Sequence, residues 1–353
     1  MLKESFPLVR DFLRRARGAD RHLALTLALA AAAAACIKSV SPNAPRALVP
    51  PFSRFMHASY VARALTSAGP AAEAYGRSGE IKVRFALPDA ELEYPLEVSG
   101  EPGAIRYQWT RIADGQLADS SRALEGARVI APSTPGFYKL SLLQGGETRA
   151  MPEITLAVMV PFHDKTGGSI DGYRIGWYKG EGSDAPDEAP PAGFVRISAG
   201  DADMQLTTHL RVGDFLVHDE QQEWPRYAAV NERLLDKLEL VLAEVTKWQG
   251  QTGRPLVSLD VHSGFRSPEH NRTVRRAARD SRHQYGDAAD VAIDADGDGR
   301  YTARDAKLVE LAVDQVEMRY PELAGGVGVY TSRAYHTPYV HIDARGKRAR
   351  WRG

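Results

Sequence analysis

Residues 281–291 read SRHQYGDAADV. An imidazole, His283, stands seven positions ahead of a carboxylate, Asp290, with Gly286 and two alanines between them. The chain then runs directly into a second acidic cluster, DADGDG at 294–299. Histidine and aspartate together are metal ligands, and a hydrolytic zinc site needs three such protein ligands and one open position. His283 and Asp290 supply two.

The third candidate lies near the C-terminus in YVHIDARG, residues 339–346. Val340 and Ile342 alternate there as in a strand, which puts Tyr339, His341 and Asp343 on the opposite face. The glycines of AGGVGVY, Gly325, Gly326 and Gly328, let a neighbouring strand approach closely.

Between these segments, DADGDGRYTARD (294–305) follows the calcium-loop spacing. Asp294, Asp296 and Asp298 stand at positions 1, 3 and 5, Gly299 at 6, Arg300 at 7, Thr302 at 9 and Asp305 at 12. Carboxylate oxygens suit a hard cation, the glycine permits the sharp turn, and Arg300 contributes its backbone carbonyl. A helix-like stretch, AKLVELAVDQVEMRY, follows. Calcium in this loop would brace the strand end that carries Asp290.

Several segments, in order, resemble the LAS-type metallopeptidases, which include zinc D-Ala-D-Ala carboxypeptidases and peptidoglycan endopeptidases. They are SGFRS (263–267), SRHQYGDAADV, GGVGVY (325–330) and VHIDAR (340–345), with LTTHLRVGDFL (206–216) ahead of them. The resemblance covers about residues 205–353. It implies zinc on His283, Asp290 and His341, and a substrate carboxylate held by Arg266, whose planar fork suits bidentate pairing. It also implies peptidoglycan peptides as the substrate. One position departs from the pattern: several relatives carry an acid three residues before the last histidine, and here that residue is Pro338. Asp343 and His336 are the substitutes for moving protons, and Asp343 serves equally well as a partner orienting a ligand imidazole.

The rest of the chain sets the context. Its 353 residues exceed one ordinary core, and Lys+Arg and Asp+Glu both total 45, so bulk charge predicts no nucleic-acid partner. The single cysteine, Cys36, excludes an intrachain disulfide and a cysteine-based structural zinc site. The arginine-rich RDFLRRARGADR (10–21) precedes the apolar LALTLALAAAAAACI (23–37), an export pattern too short for a comfortable membrane span. Residues 1–37 are therefore expected to be a signal peptide or membrane anchor, with acylation of Cys36, an uncleaved anchor and secretion as the alternatives. Each places the body outside the cytoplasm, in the periplasm or cell envelope, and the first two tether it to the membrane.

Residues 38–78, rich in Ala, Pro and Ser, read as a linker. From 79 to 160 short strands alternate, among them IRYQWTRI and FYKLSLL, and resemble loosely an immunoglobulin-like sandwich with no chemistry of its own. Residues 161–204 read as a connecting substructure, and 205–353 as the zinc peptidase domain. RYAAVNERLLDKLELVLAEVTKWQG (226–250) is expected to form one long amphipathic helix ending at a glycine, and PLVSLDVHSGFRS a buried strand leading into a loop. The fold class expected is α+β: a small antiparallel sheet with helices, preceded by an all-β sandwich.

Two arginine clusters stand out. Arg272, Arg275, Arg276, Arg279 and Arg282 lead into His283, while Arg345, Lys347, Arg348, Arg350 and Arg352 end the chain. Each reads as a solvated face or as an anion-recognising rim for an acidic wall polymer. The function expected is hydrolysis of D-amino-acid-containing peptide bonds in peptidoglycan, by a carboxypeptidase or a cross-link endopeptidase. The competing expectation is a catalytically silent wall-binding or scaffolding protein that keeps the metal fold.

Overall fold

A computed structural model describes residues 76–94, 105–125, 128–183, 188–250, 259–331 and 337–353. The arginine-rich leader, Cys36, most of the expected linker and His336 lie outside them. The chain divides into Met1–Pro51 and Phe52–Gly353, and every described residue falls in the second unit. Among the described residues no helix is long and apolar enough to cross a membrane.

Seven strands form the first part: β1 (Val83–Ala86), β2 (Glu91–Glu93), β3 (Arg106–Arg111), β4 (Arg122–Ala123), β5 (Arg128–Ile130), β6 (Gly136–Gln144) and β7 (Glu147–Val158). Five pair in the order β1-β7-β6-β3-β4, and β2 and β5 make a separate two-stranded sheet. Among the described residues the second sheet has two short strands, and the expected immunoglobulin-like sandwich is not confirmed. Strand alternation sends Tyr107 and Trp109 of β3 inward to a core shared with Tyr94 and Leu140. The Trp109 indole N–H donates to the Ile130 carbonyl at 2.8 Å, so this buried aromatic leaves no orphan donor.

The first sheet does not stand alone. Val83, Phe137 and Ala157 belong to the same large core as the C-terminal sheet, so one apolar interior runs across the boundaries expected at 160 and 204. The strands β8 (Val160–Pro161), β9 (Ser169–Ile170), β10 (Tyr173–Arg174), β11 (Gly193–Ile197) and β12 (Arg226–Ala228) continue it. β8, β11 and β12 form one sheet, and β9 and β10 pair on their own. The end of the expected linker is also anchored: buried Asp236 accepts the backbone N–H groups of Arg77 and Ser78, both at 2.7 Å.

The helix expected over 226–250 is shorter, α1 (Glu232–Gly250). Its first residues pair instead as β12 against β11, with Tyr227 opposite Arg196. Asn231 starts the helix, its side-chain oxygen accepting the Arg233 N–H at 2.9 Å. The apolar spacing of Tyr227 and Val230 extends a helical period by chance, and sheet pairing overrides it.

The C-terminal sheet runs β13 (Leu259–Ser263), β14 (Ala288–Ile293), β15 (Gly326–Tyr330), β16 (Tyr339–Asp343) and β17 (Ala349–Arg352), in the order β13-β14-β16-β15-β17. All neighbours are antiparallel except β15 and β17. The mixture of helices and small sheets is the α+β class. β13 is a half-exposed edge strand, contrary to the buried strand its apolar residues suggest. One short helix, α2 (Pro268–Asn271), follows the SGFRS loop and is capped by Ser267, and α3 (Ala303–Arg319) follows the acidic loop.

The turn that carries His283, a 3-10 turn over Arg282–Tyr285, closes at Gly286 with φ +71°. A Cβ there would lie 2.5 Å from the Ala229 carbonyl carbon. Both the left-handed backbone and the lack of space require glycine. Gly286→Ala is expected to destabilise the protein by about 2 kcal/mol or more, read from the midpoint of urea unfolding. A midpoint equal to wild type would show that the turn can relax.

Candidate metal centre

Register across the C-terminal sheet decides what faces what. Ser263 opposes Asp290, Asp290 opposes His341, His341 opposes Gly328, and Gly328 opposes Trp351. Directly opposed residues share a face of a sheet. One transverse row therefore crosses all five strands, with Asp290 and His341 at its centre, and the turn before β14 adds His283. These three side chains are all buried.

The ligand atoms form a nearly equilateral triangle. His283 Nε2 lies 3.2 Å from Asp290 Oδ1 and 3.1 Å from His341 Nδ1, and His341 Nδ1 lies 2.9 Å from Asp290 Oδ1. The outer atoms of both rings have assigned jobs. His283 Nδ1 donates to the Gly264 carbonyl at 2.6 Å, and His341 Nε2 donates to Asp343 Oδ2 at 3.2 Å. A carbonyl and an ionised carboxylate can only accept, so each ring carries its proton on that outer nitrogen in the neutral form. The two inner nitrogens then present lone pairs to one another and to a carboxylate oxygen. Three electron-rich atoms converging in a buried space call for a cation.

Zinc fits the measured edges. Nitrogen and oxygen ligands about 2.0–2.1 Å from a tetrahedral zinc stand about 3.3–3.4 Å apart, so these atoms need to separate by only a few tenths of an ångström. Titration behaviour points the same way. Burial pushes the His283 imidazolium down. Burial also opposes charge at His341, but the Asp290 and Asp343 carboxylates outweigh it and raise that imidazole. Burial would raise the Asp290 carboxyl, yet the two histidines hold it well below the usual carboxylate range. The site draws positive charge.

The triangle opens into a cavity of about 410 Å³, lined also by Tyr330, Tyr339 and Trp351. Tyr330 and Tyr339 stack with centroids 4.6 Å apart, and the Trp351 indole N–H donates to the Tyr330 hydroxyl at 2.8 Å. Gly328 makes this wall possible, because a Cβ there would meet the Trp351 Nε1 at 2.3 Å.

Asp343 sits behind His341 and not over the open side. It is fully buried, is not among the cavity-lining residues, and accepts from the Gly326 N–H at 2.7 Å and from Arg345 through both oxygens. Burial works against its charge, but His341, Arg345 and the Gly326 N–H together hold its carboxyl far below the ordinary carboxylate range. Of the two roles open to Asp343, this placement suits the carboxylate that orients the His341 ring. Every contact it makes is to a donor, so the amide of Asp343→Asn must turn its NH₂ against one of them. That variant is expected to bind zinc about 10–100-fold more weakly, measured by competition with a chromophoric chelator. Unchanged affinity would remove the orienting role.

Arg266 lies beside the triangle. Its guanidinium pairs with Asp290 Oδ2, and its Nε donates to Ser263 Oγ at 2.8 Å. It lines the cavity, and one of its Nη groups holds Asp290 Oδ2 while Oδ1 faces the histidines. His336, the other proton-moving candidate, lies outside the described residues.

The acidic loop gathers part of its predicted set. Asp294, Asp296 and Asp305 bring one oxygen each within 4.8 Å of the others, whereas Asp298 is not in the group. Asp298 accepts from the Arg300 N–H at 2.9 Å. Thr302 is the N-cap of α3, and Asp305 is its capping-box partner. Asp305 accepts four hydrogen bonds, from the Ala295, Asp296 and Thr302 N–H groups and the Thr302 hydroxyl. Loop closure is therefore achieved by the chain's own donors.

Sequence reasoning gave no site role to Gly264, Trp351 or Lys237, and read Arg345 only as part of the C-terminal arginine cluster. Lys237 is fully buried on α1 and donates to Glu317 at 2.8 Å and to the Asp343 carbonyl at 2.7 Å, tying both helices to the site strand. The C-terminal arginines are mostly internal ties: Arg350 reaches Asp314 and Glu317, Arg348 reaches Asp314, and Arg352 reaches Glu310.

No curated protein matches this chain. The peptidase M15 family model matches residues 216–315, which include His283 and Asp290 but stop short of His341. Over those residues the chain is similar to the peptidase M15 family, whose members are zinc-dependent metallopeptidases, and the sheet register brings His341 to the same centre.

Proposed function

We propose that the protein is an exported zinc peptidase that hydrolyses D-amino-acid-containing peptide bonds of peptidoglycan, tethered to the membrane by its N-terminal leader or by an acylated Cys36. The observation that carries the reading is the triangle of His283 Nε2, Asp290 Oδ1 and His341 Nδ1, with edges of 2.9–3.2 Å, at the floor of an open cavity. The export proposal rests on the arginine cluster ahead of the apolar run.

His283, Asp290 and His341 would hold zinc. When bound, zinc supplies the Lewis acidity that makes water a nucleophile near neutral pH and polarises the scissile carbonyl. The chain's own residues do the rest. The Gly264 carbonyl and Asp343 fix which ring nitrogens carry protons, and Arg266 fixes the Asp290 carboxylate. Tyr330, Tyr339 and Trp351 give the peptide a wall that limits water. With Asp343 behind His341, the proton-moving role falls to His336, five residues before the last ligand.

Digestion of purified peptidoglycan tests this. Wild type is expected to release peptide products, and a chelator to stop the release. His336→Gln is expected to keep its zinc and lose about 10²–10⁴-fold in kcat. Retained activity in that variant would remove His336 from the chemistry. Binding to peptidoglycan with no products from zinc-loaded wild type would favour the scaffold reading, in which Pro338 marks a lost base.

The same proposal places Ca²⁺ in the 294–305 loop, on Asp294, Asp296 and Asp305. Calcium is expected to raise the melting temperature, saturating at roughly 10⁻⁴–10⁻³ M. No rise would mean that the Asp305 hydrogen bonds alone shape the loop.

A further inference from the structure

The cavity is lined by five arginines, Arg266, Arg275, Arg276, Arg282 and Arg345, against two acids, Asp280 and Asp290. Most of this charge is cancelled locally. Arg266 pairs with Asp290, Arg282 with Asp287 and Glu188, Arg345 with Asp343, and Asp280 lies 3.7 Å from Lys179. Arg275 and Arg276 are different. Both are exposed, and among the described residues neither makes an ion pair or a side-chain hydrogen bond. They are the two cavity-lining arginines without an ionic partner among the described residues.

Arg276 also has an unusual backbone. Its φ is +63°, and the other described non-glycine residues with positive φ are Asp89 and Asp171, a residue type that tolerates this region. A long side chain held there is strained, and glycine would remove the strain at no cost to the turn. Among the described residues nothing pairs with this arginine, which leaves its guanidinium open to a ligand in the cavity it lines. Guanidinium forks facing a peptide-sized cavity suit a carboxylate, which they pair bidentately.

We infer that Arg275 and Arg276 form a carboxylate-recognising rim, and that the preferred substrate is an acidic peptide with a free carboxylate set apart from the bond that is cut. The inference rests on the peptidase reading and names its substrate class. Arg266 is held in part by Asp290 and Ser263, while Arg275 and Arg276 line the same cavity with both forks open.

The test uses zinc-loaded full-length protein and one peptidoglycan stem tetrapeptide prepared with its glutamate as the acid or as the amide. Wild type is expected to prefer the acid by about 10–100-fold in kcat/KM and in calorimetric binding. In Arg275→Gln/Arg276→Gln that ratio is expected to fall close to 1, and in wild type it should shrink as salt rises. Arg276→Gly alone should reduce the ratio while raising the melting temperature by about 2–4 °C. Turnover of both peptides without discrimination would overturn the rim and leave the peptidase reading standing. Acid-selective binding that is lost in the double variant, with no turnover at all, would keep the rim and overturn the peptidase. Selectivity retained in the double variant, or no selectivity in either assay, would sink the inference.

Discussion

His283→Ala is expected to lose at least about 10³-fold in kcat/KM on peptidoglycan peptides, because transition-state charge stabilisation worth several kcal/mol depends on the metal and each decade corresponds to 1.36 kcal/mol. The loss follows from the outer contact of the ring as much as from the inner one. With Nδ1 fixed on the Gly264 carbonyl, Nε2 has nothing to do but offer its lone pair inward. Alanine deletes one corner of the triangle and leaves Asp290 and His341, which cannot close a three-ligand site. Steady-state hydrolysis at saturating zinc measures it. A variant that keeps activity within tenfold of wild type would mean that the cleavage uses another centre.

Lys237→Met should have the largest effect on stability. The lysine is buried between α1, α3 and β16, where burial lowers its pKa and Glu317 resists that shift. Removing one partner of a buried ion pair costs about 3–5 kcal/mol. Glu317 keeps Arg350 and the Gly325 N–H, so the lower end of that range applies, or a fall in melting temperature of roughly 5–10 °C. The Asp343 carbonyl also loses its donor, which should loosen β16 and weaken zinc binding. A double variant, Lys237→Met/Glu317→Gln, is expected to recover part of the loss, since no uncompensated carboxylate remains. A melting temperature unchanged by Lys237→Met would show that the buried pair contributes nothing net.

What was legible in the sequence was chemistry tied to short-range pattern. Strand alternation around Val340 and Ile342 put His341 on the site face, and the glycines of β15 announced the close approach that the Trp351 indole and the Asp343 carboxylate now occupy. The α+β class followed from the same periodicities. What was not legible depended on partners distant in the chain. Asp343 looked equally suited to moving protons or orienting a ring until Arg345 and Gly326 were seen to enclose it. The contact between Arg266 and Asp290 was not legible, because the sequence neighbours of Arg266 say nothing about a carboxylate 24 residues away. Lys237 looked like one more polar residue in an amphipathic helix, and only the packing of α3 and β16 against α1 buries it. Arg348, Arg350 and Arg352 read as free charge because the acids of α3 that hold them lie more than thirty residues earlier.

The central claim is that three distant side chains hold one zinc ion. Elemental analysis of purified wild type and His341→Ala, each equilibrated with zinc and then desalted, tests it most directly, since His341 lies beyond the segment the family model matches. One zinc per chain in wild type and essentially none in the variant is the predicted result. Wild type without zinc, or the same zinc content in both proteins, would contradict it.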